Sequence, residues 1–226
     1  MNSFEDGRVL LINKPYDCTS FDIVRKLRSL LDIKKIGHAG TLDPLATGLL
    51  ILCTGKFTRK INEYMAREKE YTGTIVLGAT TPTFDREGIP ENFTDSSHIT
   101  QQDVNAAALV FTGDIMQTPP IYSAVKKGGR RAYQMARKGE PVELHPRSVA
   151  VRAFDTQLTL PVVHFKIVCS TGTYIRSLAN DLGARLGVGG YLGSLCRTRI
   201  GEFQLKDAWS LEEAEEKIKS ERVANT

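Results

Sequence analysis

With 226 residues, 41% of them hydrophobic and 25% charged, the chain has the composition of a soluble globular protein with room for one large domain or two modest lobes, which excludes a largely disordered polypeptide. Its 30 Lys and Arg against 26 Asp and Glu leave a formal charge of +4 and an isoelectric point near 8.8, which permits a polyanionic partner without demanding one. Cys18, Cys53, Cys169 and Cys196 stand far apart with no CxxC pair, against a disulfide scaffold, and the longest apolar run, residues 49–53, is too short to span a membrane.

The opening MNSFEDGR has no basic stretch followed by an apolar one, so a cytoplasmic protein is expected. Residues 8–12 read as a short strand ended by Asn13, Lys14 and Pro15. From Ser20 onward Ile23, Val24, Leu27, Leu30 and Leu31 follow helical spacing, with Thr19 and Asp22 as a capping pair. A buried strand over 49–53, a helix over 60–66 and a β-rich segment over 70–77 follow. Residues 80–97, rich in Thr, Pro, Gly and Asp, read as loop, and Thr100 with Asp103 opens another helix. The stretch 117–146 differs from its surroundings: it starts with Pro119 and Pro120 after Gln117, crowds Lys126, Lys127, Arg130, Arg131, Arg137 and Lys138 together, and holds a short helix over 131–138. It reads as an exposed insertion. Strands over 148–158 and 162–170, a helix over 174–186, a strand near 202–205 and a locally acidic helix from Ser210, capped by Glu213, complete the pattern. Mixed strands and helices without regular βαβ alternation give an α+β fold.

Residues 37–52, GHAGTLDPLATGLLIL, are the most informative. They place Asp43 among Gly37, Gly40, Gly48 and Pro44, which suits a rigid loop that presents a carboxylate. Taken alone, the stretch fits equally well a helix whose cap is Asp43 and whose first residue is Pro44. Other polar constellations are Asn13-Lys14-Pro15, Lys69-Glu70-Tyr71, TPTFDREG at 81–88 and STGTYIRSLANDLG at 170–183. His38, His98, His145 and His164 lack metal-ligand spacing, the Gly48 to Lys56 region does not match GxxxxGK[ST], and no nucleophile elbow supports a Ser/His/Asp triad. No metal or cofactor is therefore expected.

These strings, in this order over nearly the whole chain, resemble the TruB family of tRNA pseudouridine synthases. The resemblance implies the pseudouridine synthase fold: a central mixed, mostly antiparallel sheet flanked by helices, with an active-site cleft and a basic thumb insertion at about 117–146. It implies that Asp43 is the catalytic aspartate, that Tyr71 stacks on the target base and serves in proton transfer, and that Arg176 pairs with Asp43 in a charge network joined by Asp85. His38 would help wedge the RNA loop open, Lys14 and Pro15 would support the floor of the site, and Tyr174 would line it. Lys126, Lys127, Arg130 and Arg131 would meet phosphates of the tRNA T-arm.

The implied reaction breaks the C1′ to N1 bond of the T-loop uridine at tRNA position 55, turns the uracil and rejoins it through C5, without cofactor or metal. Attack at C1′, attack at C6 and a glycal route opened at C2′ all use the same acid. Many relatives continue into a small PUA-type RNA-binding domain, whereas this chain stops soon after its acidic helix. The expectation is a single monomeric catalytic domain over 1–226 without a complete PUA domain. The rival readings are a non-catalytic tRNA-binding or folding module and the same chemistry on another RNA.

Overall fold

The computed structural model describes residues 3–224. In chain order its elements are α1 (Ser3–Asp6), β1 (Val9–Lys14), α2 (Ser20–Leu31), β2 (Ile36–His38), β3 (Ala46–Thr54), α3 (Ile61–Ala66), β4 (Lys69–Leu77), α4 (Gln101–Val110), β5 (Gly113–Gln117), β6 (Lys126–Lys127), β7 (Arg130–Arg131), α5 (Ala132–Ala136), β8 (Arg147–Thr159), β9 (Val162–Cys169), α6 (Ile175–Arg185), β10 (Gly190–Ile200), β11 (Phe203–Gln204) and α7 (Leu211–Ala224). They divide into two compact units, the first Met1–Tyr71 with Leu195–Thr226 and the second Thr72–Ser194, so β4 and β10 give residues to both.

In the first unit the strand order is β1, β3, β10, β4, with β2 on β3 and β11 on β10. The sheet is mixed: β10 runs parallel to β3, while β1, β2 and β11 pair antiparallel with their neighbours. β3 is covered on both faces, which explains its unbroken apolar run. Leu50 and Leu52 point to one side, into a core with Leu10, Ile12, the α2 residues Ile23, Val24, Leu27 and Leu31, and Leu211, Ala214 and Ile218 of α7. Leu49, Ile51 and Cys53 point to the other, against Ala39, Tyr64 and Ile200. α2 begins in a complete capping box between Thr19 and Asp22, worth about 1 kcal/mol. It stops where Asp32 adopts φ +52 and turns its amide back to the carbonyls of Arg28 and Ser29.

In the second unit the order is β10, β4, β9, β8, β5. Val163, Phe165, Ile167 and Cys169 alternate inward along β9, and α4 opens with a capping box of Thr100 and Asp103. Gln101, at the start of α4, accepts from the amide of Leu158 and donates to the carbonyl of Thr156, tying the helix to β8. No helix among the described residues is long and apolar enough to cross a membrane.

Among the described residues, five strands lie outside what the apolar pattern indicates: β2, the edge strand β5, the two-residue β6 and β7 of the insertion, and the long β10. The strand expected near 202–205 is only the two-residue β11, folded back on the end of β10. β10 reads GYLGSLCRTRI, and its polar residues are absorbed by neighbours instead of alternating with solvent. Thr198 donates to Glu70 at 2.8 Å and Arg199 to Glu68 at 2.8 Å.

Candidate functional site

Asp43 does not cap a helix. Its carbonyl accepts the Ala46 amide at 3.1 Å, closing a turn with Pro44 in the second position, where its fixed φ is favoured, and β3 starts directly afterwards. The peptides on both sides of the acid are fixed by the segment between β1 and α2. Ser20 Oγ accepts the Leu42 amide at 2.9 Å and donates to the Leu42 carbonyl at 3.1 Å, and the Asp17 amide donates to the Pro44 carbonyl at 3.0 Å.

Two buried cations complete the support. Lys14, 0% exposed at the end of β1, donates to the carbonyls of Pro15 at 2.9 Å, Cys18 at 2.7 Å and Pro44 at 3.2 Å. Its three N–H donors thus meet three carbonyls, and its part is to hold the loop from beneath. Burial pushes the Lys14 ammonium below the ordinary lysine value of 10.5; nearby Cys18, Asp43 and Asp17 oppose that shift and Arg197 adds to it.

Arg197, 1% exposed in β10, donates through Nε to Leu49 at 2.8 Å, through Nη1 to Thr41 at 3.4 Å and through Nη2 to Gly40 at 3.0 Å. Its guanidinium therefore spans the loop from Gly40 to Leu49, with Asp43 inside the span. Gly48 is required by this arrangement: it has φ +103, and a Cβ there would stand 2.4 Å from the Arg197 carbonyl oxygen. Arg197 is absent from the sequence-derived candidates. An arginine in a segment with no clear alternation reads as surface, and the one local signal is its place between strand-forming residues.

His38 closes β2, and burial followed by the Arg197 charge pushes its imidazole down, so it is neutral at pH 7. A hydrogen bond to the Gly40 backbone opposes that shift. Tyr71, the third residue of β4, is buried.

In the second unit, Arg176 in the first turn of α6 and Asp85 in the 81–88 loop are each 6% exposed, and Arg176 Nε stands 3.6 Å from Asp85 Oδ2. Arg176 also donates to the carbonyls of Thr83 at 3.2 Å and Tyr122 at 2.9 Å. Asp85 accepts from Thr83 Oγ1 at 2.6 Å and from the Glu87 amide at 3.0 Å. Tyr174 is the residue just before α6; Gln117, the last residue of β5, bonds both its amide and its carbonyl, and the Arg147 guanidinium lies 5.0 Å from its ring centre.

The insertion is pinned at its start by that buried Gln117. Its tip is a hairpin in which Lys126 faces Arg131 and Lys127 faces Arg130 across a Gly128-Gly129 turn, both glycines at positive φ. All four cations are exposed. Lys127 donates to the Glu143 carbonyl at 2.9 Å and Arg130 pairs with Glu140 at 2.7 Å.

A family model described as "TruB family pseudouridylate synthase (N terminal domain)" matches residues 28–175, and one described as "tRNA pseudouridylate synthase B C-terminal domain" matches 176–225. The chain is 47% identical over 221 residues to a tRNA pseudouridine synthase B of Flavobacterium johnsoniae, covering 94% of this chain and 96% of that protein. It is 46% identical over 220 residues to a tRNA pseudouridine synthase B of Parabacteroides distasonis, covering 94% of each. Among solved structures, a chain of a Cbf5-Nop10-Gar1 complex matches with a TM-score of 0.74 at 27% identity, over 94% of this chain and 54% of that one. A chain of an H/ACA RNP bound to a substrate RNA containing 2′-deoxyuridine matches with a TM-score of 0.72 at 24% identity, over 99% and 56%, and bears on the fold alone. The chain thus spans about half the length of those solved chains. The fold is that of the pseudouridine synthases. Within that class, the chain belongs to the TruB family of pseudouridylate synthases.

Proposed function

We propose that this protein isomerises the T-loop uridine at position 55 of tRNA to pseudouridine, with Asp43 as the nucleophile. The observation that carries this reading is the doubly braced loop: Lys14 and Arg197, both buried, fix the peptides around one carboxylate within the family's motif. A nucleophile that must stay in place while a uracil detaches, turns and reattaches needs such support, because small displacements are costly in rate.

In this reading Tyr71 offers an aromatic face to the extruded base, Arg176 with Asp85 supplies the charge network, and Tyr174 and His38 shape the surroundings of the nucleotide. The hairpin cations contact phosphates of the T-arm. Lys127 and Arg130 have Glu143 and Glu140 beside them, whereas Lys126 and Arg131 face each other as like charges across the ribbon, a repulsion that a polyanion relieves. The protein is taken to act as a monomer in the cytoplasm.

The test incubates purified protein and the Asp43→Asn variant with an unmodified tRNA transcript and maps pseudouridine by carbodiimide-stop primer extension. The expected result is a stop at the T-loop uridine with wild type and none with the variant. An unchanged uridine with wild type, or a variant as active as wild type, overturns the reading. A variant that still binds and refolds tRNA separates catalysis from RNA folding.

A further inference from the structure

The first unit carries two aromatic side chains that the chemistry above leaves unused. Tyr16 and Phe21 are 54% and 58% exposed, whereas every other described aromatic of that unit is buried or half-buried. Isolated exposed apolar residues are ordinary on any protein. The placement of these two is not.

Asp17 and Ser20 are the residues that hold the two flanks of Asp43, through Pro44 and Leu42 respectively. Tyr16 directly precedes the first anchor and Phe21 directly follows the second. Their backbone is fixed as well. Lys14 donates to the carbonyls of Pro15 and Cys18 on either side of the Tyr16 turn, Asp17 sits at φ +60, and Phe21 lies in the first turn of α2 inside its capping box. Both rings therefore stand open to solvent on rigid backbone, one residue away from the bonds that position the acid, so little ordering remains to be done when something binds.

The neighbouring charges indicate which part of a nucleic acid fits. Asp17 and Asp22 lie beside the aromatics, and Arg25 is already engaged with Asp22 at 2.8 Å. That surface disfavours phosphate and suits nucleobases.

We infer that Tyr16 and Phe21 form a stacking platform for unpaired bases next to the nucleotide presented to Asp43. This rests on the RNA-modifying reading above. Extruding a uridine unstacks its neighbours, and an exposed aromatic face replaces the lost stacking with little dependence on base identity.

The test compares wild type with Tyr16→Ala, Phe21→Ala and the double variant, with Tyr16→Phe keeping the ring and Phe21→Leu keeping only apolar bulk. Thermal melting verifies folding. Filter binding of an unmodified tRNA transcript gives affinity, single-turnover assays give rate, and 2-aminopurine at unpaired positions flanking the target uridine of a T-arm hairpin reports stacking directly. Each Ala variant is expected to bind about five-fold to a hundred-fold more weakly, with an unchanged salt slope and lost 2-aminopurine quenching. Tyr16→Phe restores both and Phe21→Leu does not. Affinity within about two-fold of wild type and unchanged quenching in the double variant overturn the platform. Wild type that binds and quenches without isomerising overturns the catalytic reading and leaves the platform standing. Wild type that does neither overturns both.

Discussion

Lys14 reaches the carbonyl of Pro44 at 3.2 Å, so the residue that follows Asp43 is held by a side chain 30 residues upstream of it. Replacing it with Met removes a buried charge but strands the carbonyl of Cys18 and takes one of two donors from the carbonyls of Pro15 and Pro44, which keep the Cys18 thiol and the Asp17 amide. Unpaired buried polar groups cost about 1 to 3 kcal/mol each. Lys14→Met is expected to lower stability by about 2 kcal/mol or more in urea titrations and to cut single-turnover rate at least about ten-fold while tRNA affinity holds. A variant of wild-type rate means that the loop keeps its geometry without this strut.

The same lysine makes a pH prediction. Burial lowers its folded value below 10.5, so between the two values the unfolded chain binds more protons than the folded one. The penalty for burying the charge is fully present below the folded value and is relieved as pH rises toward 10.5. The stability of wild type relative to Lys14→Met is therefore expected to rise with pH over that window. A constant difference in urea titrations from neutral to alkaline pH counts against a charged, buried Lys14.

Gly48→Ala combines a positive φ with a Cβ at 2.4 Å from the Arg197 carbonyl. The β10 backbone must move to admit it. We expect a loss of about 2 to 4 kcal/mol by denaturant titration and loss of pseudouridine formation.

Asp85 and Arg176 form a buried ion pair supported by Thr83 and Tyr122. Removing one partner leaves the other charge uncompensated, at about 3 to 5 kcal/mol. Asp85→Ala and Arg176→Ala are expected to be strongly non-additive in a double-mutant cycle of stability. Additive losses mean that the carbonyl and hydroxyl bonds, and not the pair, dominate.

For the hairpin, Ala at Lys126, Lys127, Arg130 or Arg131 should each weaken tRNA binding across sequences and reduce the slope of log affinity against log salt by up to about one. Hydrogen exchange at its tip should be fast in the free protein and slowed by tRNA. Full protection without RNA argues against a hairpin that orders on binding.

Elements defined by local chemistry were legible in the chain. The pairs Thr19/Asp22, Thr100/Asp103 and Ser210/Glu213 each place an oxygen and a carboxylate three residues apart, and all three form reciprocal caps. β9 shows itself by strict alternation. β10 does not, because its Thr198 and Arg199 find partners on Glu68 and Glu70 far away in the chain. Arg197 was opaque for the same reason, and Lys14 stood out only through the family resemblance. Composition sends Lys and Arg to the surface, and only the folded chain gathers enough carbonyls to keep both inside. At Asp43 the local signals were balanced between a cap and a presented acid, and tertiary bonds from Asp17 and Ser20 select the turn.

Arg197 braces Leu49 across 148 residues of chain. On a ribosome adding about 5 to 20 residues per second, the loop around Asp43 emerges roughly 7 to 30 s before its brace. The first unit takes its remaining strands from the far end of the sequence. A nascent chain thus exposes the acid unsupported, and the loop gains its second brace only once β10 has been made.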